Sequence, residues 1–245
     1  MHLIYNLLLF VITFVGGLAG LRMKVTERSI NYLLAFSGSF LLSITLLHLL
    51  PETFEETGEH AGLYILCGFF LQLVIQRLTH GVEHGHVHTH AVDQHSHSHA
   101  VHFNSIFIGL SIHAFMEGLP LGFNYRAAGT EPSLYLAVAA HKLPEAILLS
   151  TLAMSVKSRR AAFVSVFIFS LFTPLGSVVA SALGREYYAI SKLVAIVIPV
   201  VAGVFIHIAT TIFFESGTKH HMLTRNKIVA IVLGVGLGLA TLLLE

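Results

Sequence analysis

The chain contains no tryptophan, one cysteine and few charges: Asp, Glu, Lys and Arg make up only 11% of its 245 residues. The lone Cys67 excludes a disulfide framework and a thiolate cage for a metal, and its place in an apolar run makes it a packing residue. A net charge of +1, with the basic residues scattered over short loops, excludes the attraction to nucleic acid that a basic patch provides. No Lys or Arg precedes the first apolar run at Leu3, whereas Arg22, Lys24 and Arg28 follow it. That order reverses the charge pattern of a secretory signal, so a retained first helix is expected.

What the chain has in abundance is apolar length. Hydrophobic residues make up 55% of it and the mean hydropathy is +0.78, values that belong to an integral membrane protein. Apolar runs at 3–21, 30–50, 61–79, 104–125, 133–155, 161–183, 189–214 and 228–244 each approach the ~20 residues a helix needs to cross the hydrocarbon layer. The expected fold is therefore all-α, with eight transmembrane helices in one domain spanning 1–245, and the lipid bilayer is its surroundings. The loops after the odd-numbered runs, with their edges, hold Arg22, Lys24, Arg28, Arg77, Lys157, Arg159, Arg160, Lys219, Arg225 and Lys227. Those after the even-numbered runs hold only Arg126, Arg185 and Lys192. By the positive-inside rule the first set is cytoplasmic and both termini lie outside. Compactness and the lack of a eukaryotic targeting tail point to a bacterial inner membrane, and nothing in the chain excludes a homodimer.

Two loops stand out. PETFEETGEH, after the second run, carries Glu52, Glu55, Glu56 and Glu59 without a basic residue. It reads either as a collector of cations at an outer mouth or as a solvated loop holding two helix ends in water. The loop at 80–102 carries nine histidines, among them His84, His86, His88, His90, His95, His97 and His99. It is too polar for lipid and too poor in bulky side chains to fold alone, and its neutral imidazoles suit transient capture of Zn²⁺, Ni²⁺ or Cu²⁺ at the cytoplasmic face.

Ionisable side chains inside apolar runs cost at least ~2.5 kcal/mol each, so several together point to a site or a pathway. HAFMEGLPLGF places His113 and Glu117 one turn apart on one stripe of a helix, and HKLPEA repeats the device with His141 and Glu145 on the next. Two imidazoles and two carboxylates supply four N and O ligands and two negative charges. That set favours Zn²⁺, with Cd²⁺, Fe²⁺, Mn²⁺ and Co²⁺ as competitors, over Ca²⁺ or Mg²⁺. Pro120 and Pro144 each deprive a carbonyl, near Met116 and Ala140, of its helical partner.

These residues resemble the ZIP (Zrt- and Irt-like protein) family of divalent metal transporters: HAFMEGLPLG looks like its fourth-helix motif, HKLPEA like its fifth, and HLLPE at 48–52 like the end of its second helix. The resemblance implies uptake of metal into the cytosol, with His113, Glu117, His141 and Glu145 as the transport site and no catalytic cofactor. It also implies inverted repeats of helices 1–3 and 6–8 around the helix 4/5 pair, with helices 1, 4, 5 and 6 moving against 2, 3, 7 and 8 as an elevator. GGLAG at 16–20 and GVGLG at 234–238 permit the close helix contacts this needs. Some relatives hold a second ion with ligands at positions that here carry Ala114, Lys142 and Thr173, so a single-ion site is expected, with the Lys142 charge where the second ion would sit. His48 and Glu52 are candidates for the outer part of the route, or for interfacial anchoring. His207 and Glu215 are candidates for its cytoplasmic part, although Thr210 and Thr211 stand where many relatives have ionisable ligands. A zinc-dependent membrane hydrolase would use the same His and Glu residues, but H-E-x-x-H and G-x-S-x-G are both missing. A cation-diffusion exporter would have six spans and a soluble C-terminal metal domain, whereas this chain ends at Glu245 directly after the eighth run.

Overall fold

A computed structural model describes residues 2–23, 26–79, 103–122, 131–186, 188–215 and 224–243. The histidine tract, with His84, His86, His88, His90, His95, His97 and His99, lies outside the described residues. The described chain is helical, with no strand among its residues: α1 (His2–Arg22), α2 (Glu27–Ile44), α3 (Leu50–Thr57), α4 (Ala61–Thr79), α5 (Phe103–Gly122), α6 (Glu131–Val156), α7 (Arg159–Glu186), α8 (Tyr188–Glu215) and α9 (Arg225–Thr241). Thr26 caps α2 by accepting a hydrogen bond from the Ser29 N–H at 3.2 Å, and Thr224 caps α9 by accepting one from the Lys227 N–H at 3.4 Å.

Five segments among the described residues are long and apolar enough to cross a membrane: Leu3–Arg22, Arg28–Leu78, Phe103–Gly122, Pro132–Val156 and Arg159–Leu183. The second covers the ground of two expected runs, because α2 passes through a π-helical turn at Thr45–Leu49 into α3 and then through a 3₁₀ turn at Gly58–His60 into α4. Seven of the ten residues of the acidic stretch expected as a loop therefore lie in α3, with Thr53 buried, and the other three form the 3₁₀ turn. Leu50–Thr57 carries on from α2 because Pro51 falls in the first turn of α3, where its missing N–H costs nothing. The bend beyond it falls at Gly58, whose φ of +55° a side chain would resist.

Side-chain size determines how the helices meet. Gly16 and Gly20 of α1 lie against Leu143 and Ile147 of α6, and Gly118 and Gly122 of α5 against Thr173 and Ser177 of α7. Gly234 and Gly238 of α9 lie against Ser39 and Ser43 of α2, and Gly68 of α4 with Gly203 of α8 closes the α4–α8 contact. In the first three of these pairs the contacts advance together along both chains, so the helices run parallel. α1 and α7 run antiparallel, zipped by Phe10, Phe14, Phe163 and Phe167 with ring centroids 5.7–5.8 Å apart. Without a hydrophobic drive between helices in lipid, small residues at crossings are what let backbones approach and dispersion accumulate. Leu3, Val74, Val232 and Leu233 instead expose their side chains, as lipid-facing residues do. Cys67 belongs with them: it is exposed and free rather than packed inside the chain, because the small residues of α4 face α8 and leave it on the far side.

Candidate metal centre

Five ionisable residues of α5 and α6 meet inside the bundle, and all five are fully buried: His113, Glu117, His141, Lys142 and Glu145. Helical spacing aligns each pair along its own helix, and the facing of α5 and α6 brings the pairs together. His113 Nε2 lies 3.2 Å from Glu117 Oε1 and 3.7 Å from Glu145 Oε1, and His141 Nε2 lies 3.7 Å from Glu117 Oε1. The two imidazoles stand edge to face, 6.0 Å between centroids. One ligand atom from each of His113, Glu117 and His141 falls within 4.8 Å of the others, and Glu145 joins them through His113.

The two carboxylates are divided. Their Oε1 atoms face the imidazoles, while Oε2 of Glu117 and Oε2 of Glu145 both contact the Lys142 ammonium. Lys142 also lies over the Phe169 ring of α7, 5.5 Å from its centroid. Among the described residues, neither Nε2 atom and neither Oε1 atom has a hydrogen-bond partner. Buried polar atoms left without hydrogen-bond partners in one cluster are costly unless a ligand completes them, and neutral imidazole with carboxylate is the donor set of borderline divalent cations. Divided in this way, each glutamate can bind a cation on one oxygen while the other stays neutralised by lysine.

The other expected positions lie elsewhere. His48, in the π-helical turn, is buried, with Nε2 at 2.8 Å from Thr241 Oγ1 of α9. Glu52 is half-buried on α3, one turn further along. His207 of α8 packs its ring on Phe69 at 4.7 Å, and its Nδ1 lies 3.3 Å from Thr211 Oγ1. Glu215 closes α8, and its side chain lies outside the described residues. Of the expected second-ion positions, Ala114 and Thr173 are buried and supply no carboxylate.

Three features of the surroundings escape the sequence reading. Phe169 beneath Lys142 is one of many phenylalanines in apolar runs, and nothing in its spacing marks it. Tyr135 reaches Asn6, Ser177 and the Leu121 carbonyl at 3.4–3.5 Å, tying together α1, α5, α6 and α7. Gln72 of α4 is fully buried with both amide atoms unpartnered among the described residues; the two glutamines of LQLVIQ are the available signal.

A search of curated proteins finds none that matches. Residues 81–241 match the family model described as ZIP zinc transporter. That match covers more than half of the chain and includes the whole buried cluster. The chain thus belongs to the ZIP zinc transporter family, as an integral membrane transporter of divalent metal ions and not an enzyme.

Proposed function

We propose that the chain carries one divalent transition-metal ion at a time, zinc foremost, into the cytoplasm through His113, Glu117, His141 and Glu145, with Lys142 in place of a second ion. The observation that carries this reading is the divided pair of carboxylates. Two imidazole nitrogens and two carboxylate oxygens form a four-ligand set suited to Zn²⁺, for which Cd²⁺, Fe²⁺, Mn²⁺ and Co²⁺ compete. The ammonium neutralises the far oxygens and repels a second cation. Release follows when movement of the bundle opens the ligand set to water on the cytoplasmic side, since transport demands binding strong enough to strip water and weak enough to let go.

The architecture proposed is a single transmembrane domain of eight spans, with α2 and α3 forming one span. Helix pairing supports an inverted repeat: exchanging the first three spans with the last three, and α5 with α6, turns the α1–α6 contact into α5–α7, and α2–α9 into α4–α8. Those contacts also support an elevator, in which α1, α5, α6 and α7 form the bundle that carries the ion and α2, α4, α8 and α9 the part it moves against. The basic residues of the odd loops support termini outside the cytoplasm, and the histidines of 80–102 would then gather ions on the cytoplasmic side. His48 with Glu52, and His207 with Glu215, flank this route without joining the coordinating set.

Zn²⁺ flux into sealed proteoliposomes tests the reading, with the intact chain against His141→Ala and Glu145→Ala. A saturable flux lost in both variants, while both remain monodisperse, supports it. Unchanged flux in either variant moves the pathway elsewhere.

A further inference from the structure

A groove lies away from the metal centre, at the seam where the end of α1 meets the start of α7. Leu18, Leu21, Arg22, Arg159, Arg160 and Phe163 line an open groove of about 450 Å³ there. Its three guanidinium groups come from two helices, all three are exposed, and no carboxylate among the described residues lines the groove. Ser158 adds to the positive end of α7 by capping it, accepting a hydrogen bond from the Ala161 N–H at 3.3 Å. Lys157 next to it takes no part, since its ammonium is over the Phe103 ring at 5.4 Å.

The rest of the wall is apolar and continues along the membrane face. Phe163 is 44% exposed, and beyond it Val15 and Phe167 are exposed at 55% and 42%, so the groove opens onto the hydrocarbon layer. A free anion would use the arginines and gain nothing from this wall. We propose that the groove binds an anionic phospholipid, its phosphate on Arg22, Arg159 and Arg160 and the start of an acyl chain along Leu18 and Phe163. Guanidinium suits the phosphate because it offers paired donors at a fixed spacing, and basic pockets between helices at a membrane surface recognise anionic headgroups. The bound lipid clamps α1 to α7. α1 backs the ligand helix α6 through Gly16 and Gly20, and α7 backs the ligand helix α5 through Gly118, so transport would then depend on anionic lipid.

The test is native mass spectrometry of the detergent-solubilised full chain titrated with phosphatidylglycerol, with phosphatidylcholine, and with phosphatidylglycerol plus inorganic phosphate. The intact chain should retain phosphatidylglycerol in preference to phosphatidylcholine. The triple variant Arg22→Gln, Arg159→Gln, Arg160→Gln should lose about tenfold or more of that retention. Arg22→Lys, Arg159→Lys, Arg160→Lys should keep most of it, and Arg77→Gln with Arg225→Gln, which removes charge outside the groove, should leave it unchanged. Equal retention by the intact chain and the glutamine variant overturns the proposal, as does equal binding of phosphatidylcholine. Displacement of the lipid by inorganic phosphate overturns it in favour of a free-anion site. Should the triple variant not fold, Arg159→Gln with Arg160→Gln carries the same comparison.

Discussion

Among the described residues, four buried imidazoles sort into two kinds. His48 and His207 each have a threonine within hydrogen-bonding distance, Thr241 across a helix contact and Thr211 one turn along the same helix. His113 and His141 have no hydrogen-bond partner among the described residues, and their Nε2 atoms face carboxylate oxygens that also lack one. Both kinds are buried and both are rare in apolar helices. Burial of an ionisable group is thus not what distinguishes a coordinating residue; a polar atom left open toward others left open in the same way is.

Removing a member of the open set should have the largest effect. Glu117→Ala takes away a carboxylate shared by both imidazoles and Lys142. Even partners outside the coordination shell are worth roughly 10- to 100-fold in metal affinity, so Zn²⁺ flux in proteoliposomes should fall by more than that. Lys142→Met should come next. It leaves two buried carboxylates without their cation, a loss of about 3–5 kcal/mol in the metal-free protein. The thermal midpoint in detergent should fall, and Zn²⁺ should raise it by more than it raises that of the intact chain, because the ion now supplies the missing charge.

Gly118→Ala probes the scaffold rather than the ligands. A Cβ there runs into the Thr173 carbonyl of α7, and overpacking of this kind costs about 1–3 kcal/mol. The midpoint should fall with Zn²⁺ present or absent, unlike that of Lys142→Met. The smallest effects on flux belong to the satisfied imidazoles: His48→Ala and His207→Ala should each lose hydrogen bonding worth about 1 kcal/mol together with the packing of a buried ring, and leave most of the flux. A flux loss in either variant as large as that of Glu117→Ala would erase the division between the two kinds of histidine.

Much of this was legible in the sequence, for a physical reason. Helical periodicity places His113 with Glu117, and His141 with Glu145, whatever the rest of the chain does, and the scarcity of charge makes any buried pair conspicuous. The pattern cannot supply the facing of α5 and α6, and so it could not show that the carboxylates divide their oxygens between histidine and lysine. Lys142 was readable as a charge near the site, but Phe169 beneath it was not, since the packing of α7 on α5 and α6, and not any spacing in the chain, brings it there. The extension of α2 through Leu49 into α3 was missed because a stretch dense in glutamate looks like a loop, although helices tolerate glutamate well. Cys67 was misread because an apolar run does not show which of its faces meets lipid and which meets protein.

The most direct measurement is the anomalous scattering of Cd²⁺ in crystals of the full chain. The account predicts one peak at the centre of the bundle, within bonding distance of His113, Glu117, His141 and Glu145, with the Lys142 ammonium still on the far oxygens of both glutamates. Two peaks bridged by those glutamates, with Lys142 turned away, would contradict it, as would cadmium bound elsewhere with none between α5 and α6.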